Sequence, residues 1–448
     1  MLEISKDANK NYLAKIVKLK GLRKHGNADR LQVVDIDFQT VITGLDAKDG
    51  DVYVFFPLEC AISSDYLSFT NSFREKEYNA NVEKTGFFDK NGRVKAIKLR
   101  GEKSMGYIVP IQTVFDWVGA GLTNVDKHIN KEFDVINGKS ICKKYIVKVK
   151  DGGARNKQGK APKVSRLIDG QVHLHVDTEN LRKNVHKLCP DDIISVTYKT
   201  HGTSWWVSNV LVKKSLSRVE KILKYFGVNI VNTEYDLVYG SRKVVKNKSF
   251  DDAKQKDHYF GYDLWEDIKD EVGESIPKGF TLYGEMLGYD KNGGAIQKHF
   301  DYGCDPHGAL KVFCDNEILK PKHKVEVYRI TFTNEDGVVF ELTYNQIAEF
   351  CEKAGLKVST LFYYGKAGDM YKDIDTDNHW NENFLRKLEQ DYNEKDCFMC
   401  FNKVPEEGIV VRKEKLNSCE SYKLKSFRFL EFETKQLDKG ESDIESEN

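Results

Sequence analysis

Ile193-Ile194-Ser195-Val196-Thr197-Tyr198-Lys199-Thr200-His201-Gly202-Thr203-Ser204-Trp205-Trp206-Val207 reads as a strand, a tight turn and a second strand. The first apolar run delivers Lys199 to a turn at Gly202, and the second carries the chain away. A lysine at a strand end can be held rigidly and partly desolvated beside a ligand, which makes a nucleophile of a solvated charge. Trp205 and Trp206 point to opposite faces, so at most one packs on the ligand side. Lys-x-x-Gly alone is a common pattern. Its weight here comes from the order of the elements that follow.

Five later elements suit one task. Ser241-Arg242-Lys243 follows a polar loop and can bind phosphate. Tyr283-Gly284-Glu285 sets a carboxylate at a strand end. Val327-Tyr328-Arg329-Ile330 offers an aromatic face, Glu406-Glu407-Gly408-Ile409-Val410-Val411-Arg412 places carboxylates before a strand, and Tyr422-Lys423-Leu424-Lys425 puts two lysines on one strand face. Glu285 and Glu407 can hold a divalent cation, Mg2+ or Mn2+, directly or through its waters. That cation would favour the unprotonated form of Lys199, inert at neutral pH with a reference pKa of about 10.4. Arg242, Lys423 and Lys425 can neutralise a triphosphate and the charge that builds as it is cleaved. Tyr328 can stack on a purine. The implied reaction is attack of a lysine amine on an α-phosphate.

The order Lys-x-x-Gly, Tyr-Gly-Glu, aromatic strand, Glu-Gly-Ile-Val-Val-Arg and Lys-x-Lys resembles the covalent nucleotidyltransferases, which include ATP-dependent ligases and capping enzymes. Among them it is most similar to template-dependent RNA ligases with an OB domain before the catalytic domain. Ser165 to Gln171, His175 to Thr178 and Ile296 to Cys304 look like further segments of that family. The resemblance implies that Lys199 is adenylated by ATP and lies beside Gly202. It implies that Arg242 contacts the nucleotide, that Glu285 and Glu407 sit in the metal shell, and that Tyr328 stacks on adenine. Lys423 and Lys425 would contact phosphate. Transfer of AMP to an RNA 5′-phosphate and attack by a 3′-hydroxyl, at nicks in a duplex, would follow. Many relatives carry an acidic residue where this chain has His201. A neutral imidazole cannot supply that charge, so either Glu285 and Glu407 carry more of the metal shell or His201 binds a water or substrate oxygen.

The expected fold is α+β: an N-terminal OB-type β-barrel followed by an adenylyltransferase domain of antiparallel sheets flanked by helices. Short strands near 12–17, 31–36, 40–42, 51–56, 94–99 and 106–109 define the first module, residues 1–137. A linker at 138–164, a catalytic domain at 165–435 and a disordered acidic tail at 436–448 complete the expectation. Helical spacing marks 216–226, 344–354 and 384–392. Lys18, Lys20, Arg23, Lys24, Lys98, Arg100 and Lys103 can form a platform for a nucleic-acid backbone or simply a solvated face. DNA ligases and capping enzymes place an OB domain after the core, whereas about two dozen residues follow Lys425. A non-catalytic nucleic-acid-binding protein is a further alternative.

The net charge of +1 over 448 residues gives no global signature for nucleic acid. Nine scattered cysteines, no leader and no membrane-length apolar run point to a reduced intracellular setting, with a monomer sufficing. Cys397-Phe398-Met399-Cys400 suggests zinc, but no second Cys-x-x-Cys supports it, and buried reduced thiols are the preferred reading.

Overall fold

The structure is a computed structural model that describes residues 1–121, 124–146, 166–246, 260–303, 323–375 and 379–441, with the backbone of 313–314 and 317–318. It is mixed α+β and its sheets are antiparallel, apart from one short parallel pair. The chain divides into two units. The first combines Met1–Lys148, Glu179–His186 and Phe427–Glu441; the second takes the remainder, chiefly Lys187–Ser426.

In the first unit, strands Ala14–Lys18 and Val52–Pro57 pair at the centre of a four-stranded sheet. Val52–Pro57 reads Val-Tyr-Val-Phe-Phe-Pro because both its faces are covered. Val54 and Phe56 pack with Ala14, Ile16 and the helix Ile111–Val118. Tyr53 and Phe55 pack on the other side with Val17, Val34 and Val41 from the sheet formed by Arg23–Lys24, Leu31–Ile36 and Gln39–Gly44. Among the described residues no ladder closes these sheets into the single barrel expected from their spacing.

Three expected boundaries move. Residues 138–146 do not begin a linker: Lys139–Ser140 pairs with Val135–Ile136, and Cys142–Lys144 pairs with Cys60–Ile62. The remaining linker residues, 147–164, lie outside the described residues. The segment expected to be catalytic does not run to 435 as one unit, nor does the tail start at 436, because Phe427–Asp438 is a helix of the first unit. Its Asp438 pairs with the buried Arg93 guanidinium at 2.6 Å, and Thr434 O accepts from the same group at 3.0 Å. Only 442–448 of the expected tail lies outside the described residues.

The second unit holds two sheets. In one, strands Glu420–Lys425, Gly408–Lys413, Ile193–Lys199 and Leu361–Lys366 run in that order. In the other, Thr203–Lys213 lies between Thr233–Gly240 and Phe280–Gly288, followed by His323–Thr333 and Val339–Glu341. The chain leaves the first sheet at Lys199 and enters the second at Thr203, so residues 200–202 are the crossing. Trp205 joins Trp265, Leu264 and Ile268 on one face of the larger sheet, while Trp206 joins Val210, Val238 and Tyr283 on the other. The opposite-face reading of the tryptophans holds.

Gly408 sits at φ +136°, and a Cβ there would lie 2.0 Å from Leu424 O. Gly408→Ala should therefore destabilise the protein by roughly 1–3 kcal/mol or more, through backbone strain and collision. Gly355, at φ +67° with open space around it, is the strain-only control. Equal losses of thermal midpoint in the two alanine variants would contradict the close approach.

Candidate active site

Strand pairing brings the lysines together. Lys199 faces Gly408, Gly408 faces Lys425, and Val410 faces Lys423. Glu407, one residue before Gly408, is thereby placed at the end of three neighbouring strands. Its carboxylate is buried, and it lies 2.9 Å from Lys199 Nζ through Oε2 and 3.1 Å from Lys425 Nζ through Oε1. His201 Nδ1 lies 3.7 Å from the same Oε2. Burial alone would raise the Glu407 carboxyl, but Lys199, Lys425 and His201 hold it well below the usual range. Lys199 is 17 % exposed, so its amine sits within the site and still reaches solvent.

Lys423 and Lys425 alternate with the buried Tyr422 and Leu424, which confirms their common face. Burial pushes the Lys423 ammonium down to about 7, with Lys425, Arg242 and Lys199 adding repulsion and Glu407 opposing it. Arg242 is held by Asp177, which accepts from Nε at 3.0 Å and Nη2 at 2.8 Å. The charges of Lys199, Lys423, Lys425 and Arg242 thus act on one another, which suits an anionic ligand.

The crossing is braced from the second sheet. Glu285 is buried and accepts from Gly202 N at 3.1 Å and Ser204 Oγ at 3.4 Å. Gln297 donates to Gly202 O at 2.5 Å, and Tyr302 donates to His201 O at 2.8 Å. Thr200 Oγ1 donates to Glu326 at 2.9 Å. Gly202 is required by space, since an added Cβ would lie 2.4 Å from Met286 O. The ring of His201 meets Phe300 edge-on, with centroids 4.7 Å apart.

Tyr328 stands at a bulge. Tyr283 pairs with Arg329 and Gly284 with Val327, leaving Tyr328 as the extra residue. Its ring packs against the Trp206 and Tyr283 cluster, and its hydroxyl is 2.9 Å from His175 Nδ1. His173 and His175 lie in irregular chain. Arg166 is bound to Asp236 at 2.8 Å and Glu234 at 2.5 Å, and Gln171 donates to Asn334 O and Glu335 O. Both close loops of the fold.

Sequence reading missed Asp177, Gln297, Tyr302, Glu326 and His175 in these supporting roles. His175, Asp177, Gln297 and Tyr302 had a signal, because all four fall in segments already singled out. Glu326 had none, because its importance comes from which strand lies beside which.

Among the described residues no three His, Cys, Asp or Glu side chains gather as a metal cluster. A hydrated Mg2+ or Mn2+ is commonly held by one or two carboxylates plus ligand phosphate oxygens. The ionised Glu407 fits that donor set; Glu285 offers a second carboxylate already engaged by Gly202 and Ser204.

Binding of pyrophosphate should raise the Lys423 pKa. The free Lys423 amine is largely neutral at pH 8 and charged at pH 6, so its binding-linked uptake should be close to one proton at pH 8 and small at pH 6. Calorimetry in buffers of different ionisation enthalpy measures this. Retention of the uptake in Lys423→Met would reject the assignment.

No protein-family model matches the chain, and no curated protein sequence matches it. Solved structures do. A lysine-to-alanine variant of Naegleria gruberi RNA ligase with ATP and Mn is similar at TM-score 0.54 and 14% identity, covering 95% of this chain and 99% of that one. The same ligase with PPi gives TM-score 0.53 and 14% identity, with 95% and 99% covered. A glutamate-to-alanine variant with ATP and Mn gives 0.52 and 13%, with 94% and 99% covered. Across nearly its whole length, this chain has a fold similar to that of the Naegleria gruberi RNA ligase.

Proposed function

We propose that the protein is an ATP-dependent RNA ligase that works through a lysyl-AMP intermediate. The observation that carries the reading is the convergence of Lys199 and Lys425 on one buried carboxylate, Glu407, with Lys423 close enough to feel the charges of Lys199, Lys425 and Arg242, in a fold similar to that of an RNA ligase.

In this reading the four cations receive the triphosphate, and the polyphosphate replaces Glu407 as the partner of Lys425. Lys199 Nζ attacks the α-phosphorus, the bond to pyrophosphate breaks, and Lys423 and Lys425 stabilise the charge on the departing oxygens. Glu407 lies 2.9 Å from Lys199 Nζ, placed to orient it, and the proton of the ammonium passes to solvent before attack. A bound Mg2+ or Mn2+ would supply further charge neutralisation on the phosphates. Tyr328 stacks on adenine, and Asp177 aims Arg242 toward the nucleotide or the RNA end. AMP then passes to an RNA 5′-phosphate, and a 3′-hydroxyl displaces it at a nick in a duplex.

The first unit serves as the nucleic-acid module, OB-type in role. Lys20, Lys24, Lys98 and Arg100 are exposed on it, and Arg23 and Lys18 are partly neutralised by Asp35 and Asp126. Backbone contacts through such residues imply strong salt dependence. The chain works in the reduced interior of a cell, and a monomer suffices for the chemistry.

Incubation with α-labelled ATP and Mn2+ should label the protein band, and Lys199→Ala should abolish the label. Glu407→Gln should slow labelling by about 10²-fold or more. Labelling by GTP instead of ATP would favour a capping enzyme, and no label with any divalent metal would refute catalysis. Nicked duplexes with ribose at the 3′-hydroxyl side should be sealed, whereas deoxyribose there should seal poorly. Equal sealing would favour a DNA ligase. The combined Lys24→Ala and Lys98→Ala exchange should weaken nick binding and flatten its dependence on salt, by up to one unit of slope per lost phosphate contact. An unchanged slope would remove these residues from the platform.

A further inference from the structure

Beneath the turn that carries Lys199 lies a sulfur cluster that the ligase reading leaves unused. Cys397 N donates to Val404 O at 2.8 Å, and Cys400 N donates to Cys397 O at 3.3 Å, closing a turn. The Cys400 thiol is the leading influence on the acidity of the Cys397 thiol, as expected of two sulfurs joined by one turn. Such a turn holds its end Cα atoms within about 7 Å, close to the span of a disulfide. Cys397 is buried and Cys400 half-buried, while Phe398 beside them is 60 % exposed, so the turn lies at the surface.

Three residues around Lys199 rest on this cluster. Tyr198 OH donates to Cys397 Sγ at 3.1 Å. Thr200 Oγ1 makes a weak contact with Met399 Sδ at 4.0 Å. Tyr302, which holds His201 O, lies against the Cys400 thiol. The turn is also fixed from outside: Phe401 N donates to Asp301 O at 2.8 Å, and Asn402 Nδ2 donates to His299 O at 2.7 Å. The sulfur pair gives up its first proton readily, because the remaining thiol and the Tyr198 hydroxyl both donate to the sulfur left behind.

We propose that Cys397 and Cys400 are a redox modification site, a reversible disulfide that withdraws the Tyr198 anchor and slows the charging of Lys199 with AMP. The effect on Lys199 rests on the ligase reading; the sulfur chemistry stands apart from it. The oxidant is a small disulfide of the glutathione class. The thiolate of the pair attacks one glutathione sulfur, breaking that S–S bond and releasing one glutathione thiolate. The second protein thiol gives its proton to solvent and attacks the mixed disulfide, releasing the second. The protein is oxidised by two electrons, two glutathione thiols are formed, and the Tyr198 hydroxyl loses its thiol acceptor. A displacement well under 1 Å at the neighbouring Lys199 is then enough to reduce the rate.

The test equilibrates the full chain in buffers of varied reduced-to-oxidised glutathione ratio and traps free thiols by alkylation for mass spectrometry. AMP charging is measured on the same samples. Cys397 and Cys400 should become protected together, and charging should fall roughly tenfold. Dithiothreitol should restore it, and Cys400→Ser should keep its own rate at every ratio. Thiols that stay free in the most oxidising buffer, zinc held stoichiometrically by the pair, or a disulfide that leaves charging unchanged would each overturn the proposal. A reduced protein that takes up no AMP would sink the ligase reading instead, and the alkylation pattern would still decide the disulfide.

Discussion

The site depends on one buried carboxylate shared by two lysines. Glu407 comes from the end of one strand, Lys199 from its neighbour on one side and Lys425 from its neighbour on the other. A carboxylate so buried remains ionised only because both ammonium groups lie against it. Removing any of the three leaves charge unbalanced in a desolvated place. The geometry of the strand ends and the electrostatics of the site are therefore one constraint.

The second constraint is the crossing between sheets. Residues 200–202 must turn sharply while their amides and carbonyls are buried, so each needs a partner. Glu285, Gln297 and Tyr302 meet that need for Gly202 N, Gly202 O and His201 O from the second sheet and the segment beyond it, and Glu326 takes the Thr200 hydroxyl. The backbone beside Lys199 is therefore fixed from several directions, and its amine is placed with corresponding accuracy.

Sequence reading recovered much of this, and the reason is local. Alternation in Tyr422 to Lys425, apolar runs before Lys199 and after Gly408, and helical spacing in Tyr344 to Ala354 are properties of neighbouring residues, and the structure keeps them. The convergence of Lys199, Glu407 and Lys425 was legible only through the order of motifs, since over two hundred residues separate the first two. What was not legible depends on pairing between distant segments. Nothing near Arg93 announces that residues 434 and 438 will receive it. Nothing in Val325 to Thr331 announces a bulge at Tyr328, because the bulge is a mismatch in register with another strand. The described ladders do not close the barrel expected from strand spacing, for a related reason: spacing counts strands but does not say which ladders join.

The helix Phe427–Asp438 gives the first unit an unusual order of assembly. Arg93 leaves the ribosome with Glu59 already made, at 3.2 Å in the finished structure, but Thr434 and Asp438 emerge about 340 residues later. At about 5–20 residues per second that delay is roughly 20–70 s. During synthesis the first unit stays unfinished, its guanidinium partly unmatched, until the second unit has been made. A chain cut short before residue 427 lacks the last support of that unit, and its unfolded population rises.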